Sequence, residues 1–114
     1  MIDATELTDR QKSLLREGFI RDGLTASMVC KREKYDSPEE HEEKAANDPD
    51  IVQLVSLGLL IHQAELSAME YYHPPYHKLT GAGKRMTAAI FPDIESERTA
   101  YRPPKPRLFA WLWS

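Results

Sequence analysis

Apolar residues recur at helical spacing near the start of the chain. Leu14, Leu15 and Phe19 share one face, and Thr8-Asp-Arg-Gln11 ahead of them has the spacing of a capping box. Asp22-Gly23 closes the segment, because glycine takes the left-handed C-terminal conformation at little cost. The pattern predicts a first helix over 8–22. Thr25 is the next N-cap candidate, and Met28, Val29 and Arg32 extend a second helical segment to about Tyr35. Ser37-Pro-Glu-Glu40 opens a third: serine caps, Pro38 suits the first helical position, and the glutamates favour the positive end of the helix dipole. It runs to about Ala46, where Asn47 closes it. Asp48-Pro49-Asp50 repeats the device for a fourth helix outlined by Ile51, Leu54 and Val55. Gly58 stops it, and Leu59-Leu-Ile61 reads as a buried strand.

Between His62 and His77 the pattern changes. Pro74-Pro75 excludes helix, and Tyr71, Tyr72 and Tyr76 suit strands. A two-stranded hairpin is predicted, with strands near 59–64 and 75–79 and a long connection between them. The competing reading of the connection is a short helix over 64–71, since Ala64, Glu65, Leu66, Ala68, Met69 and Glu70 all favour helices. Thr80 caps a last helix through Met86, Ala89 and Ile90 to about Phe91, and Pro92-Asp93 ends it. Tyr101-Arg-Pro-Pro-Lys-Pro-Arg107 should be extended. The expected architecture is α+β and mainly helical: three to five helices, a small antiparallel hairpin and an extended C-terminal tail. Residues 1–91 form the domain and 92–114 a Pro-rich basic tail, whose apolar end packs on the domain or on a partner.

At 114 residues the chain fits one domain, able to bury roughly 65% of its unfolded surface without disulfides. A single cysteine forms no internal disulfide. The opening MIDATELTD carries acids where a signal peptide carries bases, and Ile51 to Ile61 is too short to span a bilayer. A cytoplasmic protein is expected, with no membrane partner.

The net charge of −3 hides an asymmetry. Residues 1–50 hold 8 basic and 13 acidic side chains, whereas residues 51–114 hold 7 basic and 5 acidic. The acids concentrate between Asp36 and Asp50. The bases concentrate between Arg98 and Arg107, where no acid occurs. Solvated surface is the bland reading of both runs. The functional one is an acidic face and a basic tail that meet different partners.

Ile51-Val-Gln-Leu-Val-Ser-Leu-Gly-Leu-Leu-Ile61, followed by Tyr76-His-Lys-Leu-Thr-Gly-Ala-Gly-Lys-Arg-Met86, resembles a winged-helix domain. In that family the third helix often ends in a leucine-valine run with Gly-Leu-Leu entering the wing, and the wing exits through a Tyr-x-Leu-Thr-x-x-Gly turn into a helix. Here two residues separate Tyr76 from Leu79. Gly23-Leu-Thr-Ala-Ser-Met-Val29 is similar to the start of the family's second helix, and the resemblance covers roughly residues 8–91. It implies DNA binding through the N-terminal part of the third helix. The residues argue against that: the candidate helix begins Asp48-Pro49-Asp50, no Arg or Lys occurs from Asp48 to Ser56, and Glu39, Glu40, Glu42 and Glu43 precede it.

Catalytic and metal motifs are thin. Gly81-Ala-Gly-Lys84 lacks the flanking residues of a phosphate-binding loop and reads first as a capped helix start. His62, His73 and His77 sit on the expected hairpin, but no second cysteine or patterned carboxylate completes a zinc site. Cys30 reads as a buried helix residue with no nucleophile–base arrangement beside it. No enzyme activity, cofactor or metal is expected. Phe109, Trp111 and Trp113 make the C-terminal end apolar. Either it folds back over the domain, or it docks on a second copy, giving a homodimer, or on another protein.

Two functions follow as expectations. The first is a protein-binding module whose acidic face (Asp36, Glu39, Glu40, Glu42, Glu43, Asp48, Asp50) engages a cationic surface, as a small phage-type inhibitor of nucleic-acid-handling or defence machinery would. The alternative is a DNA-binding regulator using Lys78, Lys84 and Arg85 near the wing and Arg98, Arg102, Lys105 and Arg107 in the tail.

Overall fold

Helix α1 (Asp9–Ile20) begins at the expected capping box. The Gln11 amide donates to the Thr8 hydroxyl at 3.1 Å, and the Thr8 amide donates to the Gln11 side-chain oxygen at 3.0 Å. The computed structural model describes residues 4–63, 66–68, 71–73 and 76–101. Its elements run α1, α2 (Ala26–Val29), α3 (Pro38–Ala46), α4 (Pro49–Ser56), β1 (Leu60–Gln63), β2 (Leu66–Ala68), β3 (Tyr71–His73), β4 (Tyr76–Leu79), α5 (Gly81–Ile90) and α6 (Ile94–Ala100). The fold is therefore mainly helical α+β, with six helices among the described residues and a small antiparallel sheet.

The local start signals act as the sequence suggests. Ser37 Oγ accepts from the Glu40 amide at 3.1 Å, Asp48 accepts from the amides of Asp50 and Ile51, and Thr80 Oγ1 accepts from the Gly83 amide at 3.0 Å. The Thr80 hydroxyl also donates to the Gly58 carbonyl, so one side chain ties the end of α4 to the start of α5. Gly58 has φ 75°, the left-handed conformation that turns α4 into β1.

The end of α1 differs in detail from expectation. The left-handed residue is Asp22, with φ 58°, while Gly23 has φ 148°. The Gly23 amide returns to the Gly18 carbonyl at 2.9 Å. A Cβ at Gly23 would strike the Tyr76 ring, so this glycine also lets the chain pass against β4.

The second helix is shorter than expected. It stops at Val29 rather than near Tyr35, and Cys30 lies just beyond it in an extended, half-buried conformation instead of inside a helix. Buried His41 on α3 donates from Nε2 to the Cys30 carbonyl at 2.7 Å, which occupies an oxygen a longer helix would use. Asp36 then closes a local turn: its carboxylate accepts from the Glu33 amide, and its own amide donates to the Glu33 carbonyl.

β1 pairs antiparallel with β4, Leu60 opposite Leu79 and His62 opposite His77. The expected connection is itself a hairpin, β2 with β3, Leu66 opposite His73 and Ala68 opposite Tyr71. Both ladders share one register. This overturns the helical reading of 64–71; helix propensity is a weak prior that cross-strand pairing with the tyrosine-rich strand outweighs. On the other edge of β4, Leu24 and His77 exchange backbone hydrogen bonds, a one-residue third strand.

The core lies between α1, α4 and the sheet. Leu15, Leu24, Ile51, Leu54 and Leu60 are fully buried. Of the strand expected to fill the core, Leu59 and Leu60 do so, but Ile61 is 49% exposed because alternate strand residues face opposite sides. Val55 of α4 is also exposed. Beyond Pro92-Asp93 the chain forms one more helix than the pattern predicts. α6 packs along α1, burying Ile94.

Candidate functional site

Two charged regions stand out, and the first is the acidic surface of α3 and α4. Its three aspartates are structural. Lys44 Nζ donates to both oxygens of Asp36, at 2.9 and 2.8 Å, and holds that carboxyl below the usual carboxylate range. Arg10 of α1 spans Asp48 and Asp50: Nη1 donates to both, and Nη2 donates to Asp48 at 3.1 Å and to the Val29 carbonyl at 2.9 Å. Burial opposes the charge of Asp48, but Arg10 and the amides of Ile51 and Asp50 outweigh it and the carboxyl titrates low. Gln11 adds a hydrogen bond to Asp50 at 3.1 Å.

Four glutamates remain without an ion-pair partner among the described residues: Glu39, Glu40, Glu42 and Glu43. Glu39, Glu40 and Glu43 are exposed, and Glu42 is half-buried beside His41 and Arg32. His41 and Ala45 form the buried side of the same helix. Next to it, α4 turns Ile51 and Leu54 inward and leaves Val52 at 49% and Val55 at 39% exposure, with Gln53 and Ser56 also exposed. Two exposed valines therefore lie on α4, the helix packed next to the one that carries the glutamates. The outward position of Val52 is legible once Ile51 and Leu54 fix the inward face; that of Val55 is not, since its i+4 spacing from Ile51 places it beside that face.

The second region is basic. Lys78 of β4, Lys84 and Arg85 of α5 and Arg98 of α6 line one cleft of about 380 Å³ whose floor includes Phe19 and Leu79. Asp22 and Glu95 line it too. Arg98 is not in a tail; it donates from α6 to Asp22 at 3.0 and 3.2 Å. Arg102, Lys105, Arg107, Phe109, Trp111 and Trp113 lie outside the described residues.

Histidine chemistry is limited. The rings of His62 and His77 stand 4.9 Å apart across the β1–β4 pair. Burial, reinforced by the neighbouring His62, pushes the His77 pKa down and favours neutral imidazole. The His73 side chain lies outside those described. Among the described residues no group of three or more His, Cys, Asp or Glu is placed to hold a metal ion. Burial raises the Cys30 thiol, which works against a reactive thiolate.

Gly81-Ala-Gly-Lys84 forms the capped start of α5. A Cβ at Gly83 would run into the Leu59 carbonyl oxygen, so this glycine serves close packing of α5 on the chain entering β1. Among the described residues no helix is long and apolar enough to cross a membrane. Compared with protein families, with curated proteins and with solved structures, the chain matches none.

Proposed function

We propose that this chain is a non-enzymatic, winged-helix-like module that binds a protein through the exposed surface of α3 and α4. The order of elements is compatible with that topology: α1, the single Leu24 bridge, helices ending in α4, then β1, an extended hairpin, β4 and α5. A DNA-reading winged helix presents its third helix to the major groove. The observation that carries the present reading is the outward side of α4. Val52, Gln53, Val55 and Ser56 occupy it, and the acids at its N-terminus are already held by Arg10. Such a surface offers no cation to phosphate and no guanidinium to guanine.

An apolar centre edged by like charges is how a protein interface is built: desolvated side chains supply affinity and the charges steer the encounter. The partner surface is therefore apolar at its middle and cationic at its rim. A site that normally holds nucleic acid has that rim, which keeps the inhibitor role within this proposal. Affinity capture with the wild-type chain should recover a partner that is lost with the variant Glu39→Lys, Glu40→Lys, Glu42→Lys, Glu43→Lys and separately with Val52→Asp. Circular dichroism should show both variants folded. A captured partner that binds both variants as tightly as wild type refutes the surface. Salt-sensitive binding of a labelled duplex, kept in these variants and lost when Lys78, Lys84 and Arg85 are replaced by glutamine, would replace protein recognition with nucleic-acid recognition.

A further inference from the structure

The basic cleft has no role in the proposed protein interface. None of α3 or α4 lines it. Its cations come from three elements, and only Arg98 is used by the fold, through Asp22. Lys78, Lys84 and Arg85 are exposed, and among the described residues no carboxylate lies within ion-pair distance of any of them. By contrast, Arg10, Arg16, Arg21, Lys44 and Arg98 each meet an acid. Three unpaired cations gathered on one concavity repel one another, and a bound anion relieves that repulsion.

We infer that the cleft between α1, β4, α5 and α6 binds a phosphomonoester dianion carried by a small, partly apolar molecule. With Asp22 and Glu95 counted against Lys78, Lys84, Arg85 and Arg98, the lining keeps two positive charges in excess. A phosphomonoester carries about 1.5 to 2 negative charges near neutral pH, which matches that excess. The floor supplies the other half of the ligand's environment, since Phe19 and Leu79 offer apolar surface beneath the charged rim. The volume of about 380 Å³ lies within the range of small-molecule sites. A nucleic-acid strand fits less well. Asp22 and Glu95 share the lining and repel a polyanion that must cover the whole cleft, whereas a single compact anion is balanced by the net excess of two charges.

The test is an amide-resolved NMR titration of the full chain with phenyl phosphate, using phenol as the uncharged control. Saturable shifts confined to residues of the cleft, absent with phenol, are expected. Replacing Lys84→Gln and Arg85→Gln together removes two charge-assisted contacts and should weaken binding roughly tenfold or more. Asp22→Asn removes a carboxylate from the rim and frees Arg98, so it should tighten binding several-fold, which a loss of structure would not do. Lys78→Gln, on a different element, is the second weakening variant should α5 prove sensitive. Shifts spread equally over Lys12, Lys31 and Lys34, or affinity unchanged in the charge-removal variants, overturn the site. So does a short duplex that shifts the cleft amides while phenyl phosphate does not.

Discussion

Arg10 is the residue on which the α1–α4 junction turns. Its guanidinium reaches two carboxylates and a backbone carbonyl from one planar group, a geometry lysine has no means to reproduce. Because the side chain is 44% exposed, water screens much of its Coulomb energy, and Arg10→Ala should cost only about 1–2 kcal/mol. Arg10→Lys should recover less than half of that in urea denaturation. The same cluster sets an acid dependence. Asp48 titrates low in the fold, so its contribution is complete above its unfolded pKa of about 4 and is lost as pH falls through the depressed folded value. Stability measured from pH 5 downward should fall less steeply in Asp48→Asn than in wild type. Equal slopes would mean that other carboxyls carry the acid response. At this level the sequence told half the story. The Thr8–Gln11 capping box was readable because its partners are three residues apart. The demand of Arg10 on Asp48 and Asp50 was not, since 38 and 40 residues separate them; with Asp36 held by Lys44, three of the seven acids of the expected face already have cationic partners within the fold.

Among the elements, α5 shows how one short motif divides its roles. Gly81 and Gly83 look equivalent in Gly81-Ala-Gly-Lys84, yet their surroundings differ. Beside Gly81 an added Cβ meets only the Arg85 guanidinium at 3.3 Å, the far end of a flexible chain. Gly81→Ala should therefore stabilise by about 0.4–1 kcal/mol, through loss of unfolded-state freedom. At Gly83 the added carbon meets the Leu59 carbonyl, which also accepts from the Thr80 amide at 3.1 Å. Gly83→Ala must push α5 off the start of β1 and should cost about 2 kcal/mol or more, with opposite signs for the two variants in thermal melts. Element boundaries followed the same division between local and distant causes. α3, α4 and α5 began where Ser37, Asp48 and Thr80 predicted, because a cap acts within one turn. α2 ended early because His41, eleven residues away, takes the Cys30 carbonyl. Leu66–Ala68 lies in a stretch of helix-forming residues but pairs with Tyr71–His73 as a strand, a preference that only the opposing strand reveals.

Across the whole molecule, charge is separated onto two surfaces that share no residue, and α6 is what completes the second. No local pattern announced this helix, whose seven residues include one buried apolar side chain. Its anchoring is tertiary. Ile94 is 1% exposed, Arg16 of α1 meets Glu97 at 3.1 Å, and Arg98 meets Asp22 across 76 residues of sequence. Asp22 holds its carboxylate toward α6 from a left-handed conformation that aspartate tolerates better than most residues. The exposed ion pairs contribute little, on the order of 0–1 kcal/mol each, so burial of Ile94 must do most of the holding. Ile94→Ala should then cost about 2–4 kcal/mol by lost transfer energy and cavity formation. Two results are expected together in that variant. The melting temperature should drop by several degrees, and the cleft should lose its Arg98 wall, so that phenyl phosphate binds more weakly while capture of a protein partner by α3 and α4 is unchanged below the melting transition. If instead both activities fall in step with unfolding, the two surfaces do not act independently. If stability is unaffected, α6 is a passive appendage and the cleft has only three walls.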